Sequence, residues 1–298
     1  MLTLQKLILS LAPVLLAASA SAGTIVYAIN GAQQLGTIDL STGVFQPVGP
    51  GANTSAPLGY FGLASGPNGS LYTFFYNGDV ASINPATGAA TDIGSSGLGD
   101  CTIPGVSPCG PNSANDIGGL GGKIYATDFQ NDLYGLNPLT GAATLIGPTG
   151  IPAFVPGLNP DGTVTFYDEA MFGASGGLYM TFDSFTFNLN TFAIGSIVVA
   201  PELYRVNTLT GGATPIGPTD LGIGAVVAVN GTYYAFDDLT NQIESLNLAN
   251  GNTTFVSNFD PAAGVIQGAA ATPEPTSIAL VGIGLLALAT SRIRRRYL

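Results

Sequence analysis

Short apolar runs recur along this chain, each with a tyrosine near its start: Ile25-Val-Tyr-Ala-Ile29, Leu71-Tyr-Thr-Phe-Phe75, Ile124-Tyr-Ala-Thr127, Leu178-Tyr-Met-Thr-Phe182 and Tyr233-Tyr-Ala-Phe236. Aromatic and β-branched residues in such brief stretches read as strands. From the second run on, each is preceded by a segment rich in Gly and Ala (59–66, 117–122, 170–176, 224–229), which reads as a strand with little side-chain volume. Each run is followed by another short strand and then by one copy of a single hairpin. Leu136-Asn-Pro-Leu-Thr-Gly-Ala-Ala-Thr-Leu-Ile-Gly147 is its clearest form; Ile83 to Gly94 and Val206 to Gly217 are close copies, and Ile38 to Gly49 and Leu246 to Ser257 looser ones. Its turn chemistry is plain. The Asn or Asp side chain bonds the backbone ahead, Pro where present presets φ, and Gly takes the positive φ that closes the hairpin.

The turn glycines Gly43, Gly88, Gly141, Gly211 and Gly251 are 45, 53, 70 and 40 residues apart. Four strands in roughly 40–50 residues is the period of a β-propeller blade, and small residues in the first strand suit the crowded centre of such a ring. The ends of the array agree. The first copy starts at its second strand, Ile25 to Ile29, whereas a spare first strand, Val265 to Ala271, follows the last hairpin. Pairing the two would close the ring and leave no open edge. The sequence therefore predicts an all-β fold: a propeller of five four-stranded blades over residues 23–272. The 70-residue interval, containing Phe185 to Pro201, has room for an elaborated blade or one more.

The two ends carry different signals. Residues 1–22 have one cation, Lys6, an apolar run from Leu7 to Ala18 and small residues through Ala22. That is a secretory signal peptide, with cleavage expected after Ala22 or, nearly as well, Ala20. Between 23 and 272, seventeen acids face only Lys123 and Arg205, a formal charge of −15. Such a surface repels nucleic acid and anionic lipid, which makes both poor partners. Cys101 and Cys109 lie in one Gly/Pro/Ser loop, and in an oxidising compartment a disulfide is expected between them.

At the C-terminus (273–298), Pro273-Glu-Pro275 leads into an apolar run, Ile278 to Ala289, and then to Arg292, Arg294, Arg295 and Arg296. An apolar run of 12 residues is short for a bilayer span, which needs roughly 20. The arginines hold its far end in the cytoplasm. This arrangement resembles the PEP-CTERM sorting signal of Gram-negative bacteria. The resemblance covers only about residues 272–298, and it implies that Pro273, Glu274 and Pro275 are the recognition motif for a membrane-embedded exosortase. It further implies an inner-membrane intermediate held by a short transmembrane helix, then release to the cell surface or the exopolysaccharide matrix.

The exported region has no His and no Trp. Nucleophilic catalysis with a His base and His-based metal sites are excluded in their usual forms. The Tyr strand and Thr-Gly hairpin resemble the repeats of quinoprotein propellers, but those dock tryptophans between blades, so neither their cofactor nor their activity carries over. Carboxylates are the remaining chemistry. Asp168, Glu169, Glu202, Asp237, Asp238 and Glu244 are candidates for a glycosidase pair; Asp128 to Asp132 and Asn159 to Gly162 gather oxygens that suit either turns or Ca2+. The repeated Tyr27, Tyr72, Tyr125, Tyr179 and Tyr234 are expected in the core between blades. The sequence reading is thus a non-catalytic surface or matrix propeller, without a cofactor, that binds extracellular carbohydrate, such as polysaccharide, or protein through loops on one face of the ring; the alternative is a carboxylate-dependent polysaccharide-cleaving enzyme.

Overall fold

A computed structural model describes residues 24–49, 62–75, 77–99, 112–153, 159, 161–174, 176–191 and 193–272. The expected signal peptide (1–22), Cys101 and Cys109 with their expected disulfide, Pro273 to Pro275 and the arginine cluster lie outside the described residues. The strands are β1 (Ile25–Asn30), β2 (Leu35–Asp39), β3 (Phe45–Pro47), β4 (Ala64–Ser65), β5 (Leu71–Phe74), β6 (Asp79–Ile83) and β7 (Ala90–Ser95). They continue with β8 (Ala114–Leu120), β9 (Lys123–Asp128), β10 (Asp132–Leu136), β11 (Ala143–Pro148), β12 (Thr163–Ala174), β13 (Gly177–Asn188), β14 (Ala193–Val206) and β15 (Ala213–Pro218). The last are β16 (Ile223–Val229), β17 (Thr232–Asp237), β18 (Gln242–Leu246), β19 (Thr253–Asn258) and β20 (Ile266–Ala271).

These strands form five antiparallel four-stranded sheets: β20-β1-β2-β3 (blade 1), β4 to β7 (blade 2), β8 to β11 (blade 3), β12 to β15 (blade 4) and β16 to β19 (blade 5). Their first strands touch in cyclic order, β4 to β8, β8 to β12, β12 to β16, β16 to β20 and β20 back to β4. The protein is a five-bladed propeller. The spare strand closes it as expected: β20 pairs with β1 from Val26 opposite Ala271 to Asn30 opposite Ile266. Two further bonds tie blade 5 to blade 1, from Ser257 Oγ to the Leu40 carbonyl (2.8 Å) and from the Asp260 N–H to the Gly43 carbonyl (3.1 Å).

The hydrophobic core is distributed between blades, because each sheet has two apolar faces to cover. One cluster runs through the junctions of blades 2, 3 and 4, with Phe74, Ile117, Leu133 and Phe182; others fill the junctions 5–1, 1–2 and 4–5. Tyr72, Tyr125 and Tyr179 are buried there, while Tyr27 and Tyr234 are half-buried against the same clusters.

The hairpin copies fold as their residues dictate. Asn84, Asn137, Asn207 and Asn247 each accept, on Oδ1, the N–H two residues on at 2.9 Å, and Asp39 does the same for Ser41. Gly211, at φ +85°, has a second duty. A Cβ there would fall on the carbonyl oxygen of Gly147, the glycine that ends the hairpin of the preceding blade; a Cβ on Gly147 would fall on the carbonyl of Thr210. The same paired approach links Gly49 with Gly88 and Gly94 with Gly141 across their blade boundaries. At the ring closure the outer strand offers Asn258 instead, and its carbonyl occupies the space a Cβ on Gly43 would need. In the copies that carry both glycines, the pair therefore bolts neighbouring blades together, backbone to backbone.

The 70-residue interval holds one elaborated blade rather than an additional one. In blade 4 the first three strands run on past the ring: β12 and β13 pair through Thr163 opposite Asn188, and β13 continues to pair with β14 as far as Ala193. Residues 184–201 of this flap contain no charged side chain. Phe166, Ile194, Ile197 and Val198 are 43–56 % exposed on it.

The first strands of all blades run the same way along the ring axis. Gly62 meets Ile117 while Ser65 meets Gly119, and Gly118 meets Met171 while Gly173 meets Gly119, so paired positions advance together. One face of the ring, the tail face, therefore collects the ends of the first strands, the repeat turns and both ends of the described domain. Thr272 Oγ1 bonds the Ile25 carbonyl there at 2.8 Å. The opposite, far face carries the links between blades and the flap.

Candidate functional site

The carboxylates concentrate toward the far face, on both sides of β12. Side chains alternate along a strand, so consecutive acids are sent to opposite blade junctions. Glu169 faces blade 3, where it accepts from Asn115 Nδ2 (2.5 Å) and Thr127 Oγ1 (2.6 Å). Beside it Asp116 accepts the N–H of Ile117 (2.7 Å) and, across the junction, that of Met171 (2.5 Å). Burial raises the pKa of both carboxyls, and the Asp116 charge adds to the shift of Glu169.

Asp168 faces the other way, directly opposite Asp183 in the β12–β13 register. This places both against blade 5, at the ends of its strands. Asp183 accepts the Gly222 N–H at 2.9 Å, Asp238 accepts the Ile266 N–H at 2.7 Å, and Asp237 Oδ1 caps the turn through the N–H groups of Leu239 and Thr240. Burial is the first cause of every shift in this group. It pushes Asp168 up to about 7, Asp183 to about 8 and Asp238 well above the ordinary range, with the charges of neighbouring aspartates adding to each. Farther out, burial and the charge of Asp220 take Glu244 to about 7. Lys123 and Arg205, the two bases among the described residues, stand at the other ends of their strands, on the tail face.

Of the six candidate acids, Asp168, Asp237 and Glu244 thus lie at the junction of blades 4 and 5, while Asp238 turns to blade 1, whose Ile266 N–H it accepts. Glu169 turns to blade 3. Glu202 also faces that way: its neighbour Leu203 packs toward blade 5, and Glu202 itself bonds the Tyr204 hydroxyl. Asp116, Asp183 and Asp220 complete the networks and went unnoticed in the sequence. Asp183 follows a Tyr strand by a spacing that no other copy marks with a carboxylate except Asp238, and no repeat pattern singles it out.

Chemically, this is a store of carboxyl groups that favour the protonated form near neutrality. They lie between sheets, not around an open cleft. The axial cavity, lined by Asp116, Ile117, Met171, Gly224 and Gly268 among others, measures ≈ 10 Å³, room for roughly one water. The oxygens considered for calcium serve turns. Asp128 Oδ1 accepts the N–H groups of Gln130 and Asp132, and Asp161 Oδ1 accepts the N–H and hydroxyl of Thr163. Among the described residues no three acids are grouped so as to hold a metal ion.

Comparison with solved structures finds matches at low identity. The chain is similar to a crystal structure of a nidogen/laminin complex, at 14% identity over 83% of this chain and 97% of that one, with a TM-score of 0.46. A structural genomics protein of unknown function from Bacteroides thetaiotaomicron matches at 16% identity over 80% of this chain and 56% of its own, with a TM-score of 0.44. At these values neither speaks to a ligand or an activity. No curated protein matches the chain.

The tail is more specific. Residues 271–296 match the PEP-CTERM protein-sorting motif, which indicates recognition by an exosortase membrane enzyme, export, and a membrane-anchored intermediate before processing. The chain is therefore an exosortase-processed exported protein: a five-bladed β-propeller carrying a PEP-CTERM sorting motif.

Proposed function

We propose that the ring is a non-catalytic binding and scaffolding module of the cell surface or exopolysaccharide matrix, holding polysaccharide through its far-face flap. The observation that carries this reading is the flap itself, read together with the sorting motif. A charge-free hairpin projects from a domain of formal charge −15. Exposed Phe166 stands at its edge, with Phe185 6.4 Å away and stacked, and Phe187 5.6 Å away edge-on. A ring face held rigid by neighbouring aromatics is a platform on which the apolar face of a sugar can lie. The surrounding acids discourage anionic macromolecules and leave neutral or cationic glycans as the favoured class.

Retention of the purified protein on isolated exopolysaccharide tests this. The full chain is expected to be retained, and Phe166→Ala to bind about 5- to 10-fold more weakly, the equivalent of about 1–1.4 kcal/mol of stacking. No retention on any polysaccharide fraction would contradict the proposal. Reducing ends appearing during the incubation would favour the carboxylate-dependent glycosidase instead, and Asp168→Asn and Asp183→Asn should then abolish them.

A further inference from the structure

The two faces of the ring differ in charge, and the tail leaves from one of them. On the tail face are Lys123, the first residue of β9, and Arg205, next to the last residue of β14; both are exposed. Among the described residues the one acid at this face is Asp39, the last residue of β2. Asp92, Glu202 and Glu244 sit partway along strands, and every other described acid lies toward the far face or the flap, including Asp79, Asp132, Asp220 and Asp260. Summed over the domain the charge is strongly negative, yet along its axis the ring is a dipole with its positive end at the tail.

The tail face also offers apolar side chains. Leu139 and Leu209 occupy the same position in the repeat turns of adjacent blades 3 and 4, and they are 84 % and 87 % exposed. Ile25 and Val44, both 45 % exposed, flank the place where the tail departs. Each turn places its leucine at the rim, beyond the backbone of the sheet, which is where a leucine can enter a headgroup layer without moving the ring.

Chain length then determines which face meets the membrane. Only residues 273–277 separate Thr272 from the apolar run that begins at Ile278. Five extended residues reach at most about 17 Å, whereas six-residue strands make the ring itself about 20 Å thick. The far face cannot be brought to the bilayer on so short a tether. An anionic surface attracts the two cations near it and leaves the acids of the far face beyond a Debye length of about 8–10 Å.

We propose that, while the chain is anchored, the ring docks tail face down on an anionic lipid surface through Lys123, Arg205, Leu139 and Leu209, presenting its acids and flap outward. This rests on the membrane-anchored intermediate that the sorting motif indicates. Docking brings Thr272, the last described residue, to the bilayer surface, on the side where a membrane-embedded enzyme acts. Once the tail is cut the weak contact no longer retains the ring.

The absence of tryptophan from the chain provides the test. Leu139→Trp, Leu209→Trp and, on the flap, Phe166→Trp each create a single fluorophore in the full chain, reconstituted into vesicles of phosphatidylcholine with brominated phosphatidylglycerol. Quenching at positions 139 and 209 but not at 166 is expected, and Lys123→Gln with Arg205→Gln should weaken docking about 30-fold while the chain stays vesicle-bound. A chain that is bound but unquenched at 139 and 209, or quenched equally at 166, overturns the docking alone. A chain that does not associate with the vesicles overturns the anchored intermediate as well.

Discussion

Gly211→Ala should lower the thermal midpoint by about 10 °C, far more than the same change at Gly231. Both glycines have positive φ, +85° and +80°, so both substitutions carry the left-handed cost of about 1–2 kcal/mol. They differ in surroundings. Nothing lies within 4 Å of a Cβ at Gly231, whereas at Gly211 it would meet the Gly147 carbonyl of the neighbouring blade. Forcing two sheets apart adds about 1–3 kcal/mol, and for a domain of this size each kcal/mol is worth roughly 2–4 °C. Thermal unfolding of the two variants side by side checks this. Equal losses would mean that the glycines serve only their own turns and that blade contact tolerates a methyl group.

Raising the pH should weaken the ring, opposite to the usual behaviour of carboxylates held in ion pairs. Asp168, Asp183 and Glu244 have folded values of about 7, 8 and 7, well above those of an unfolded chain. The folded state therefore binds more protons than the unfolded state between about pH 4 and 8, and stability falls as pH rises through that window. It is fully present below the unfolded values and lost as each folded value is passed. Asp39 and Asp161, held low by Ser41 and Thr163, run the other way, and only as pH falls below the ordinary carboxylate range. A buried carboxyl displaced by about three units costs about 4 kcal/mol once ionised, so the midpoint should drop by about 10 °C between pH 5 and pH 8.5. Asp183→Asn keeps an acceptor for the Gly222 N–H and should flatten the curve. A midpoint that rises between pH 5 and 8.5 would show that these groups are paired with cations in solution.

Much of the fold was legible because a repeat states the same instruction several times. The Asn-Pro-x-Thr-Gly turn, the Tyr strand and the unmatched strand at 265–271 together specify four strands per unit and closure by the chain ends, and the ring follows. The second glycine, present in four of the five hairpins, was equally visible. Its purpose was not, since the approach of Gly147 to Gly211 exists only once two blades are side by side. The flap was legible as surplus length but not as a projection, because its strand pattern continues that of the blade beneath it.

The carboxylate networks were harder still. Which acids meet depends on the register that sets Asp168 opposite Asp183, and on the alternation that sends Glu169 to the other junction. Adjacent letters in the sequence, Asp168 and Glu169, end in different networks, while Asp116 and Glu169 share one from different blades. Composition signalled an acidic surface, yet many of these acids are interior. Charge polarity along the axis was invisible for the same reason: Lys123 and Arg205 are far apart in sequence and share a face only because each sits at the same end of a strand.

The most direct measurement is the intact mass of the surface-associated protein, taken from cells with and without the sorting protease. The account predicts loss of residues 1–22 in both and loss of the segment after about residue 272 only where the protease is present, leaving the closed ring. A surface form that keeps Arg292 to Arg296 in both strains would contradict it, and the chain would then be a permanently tail-anchored envelope protein.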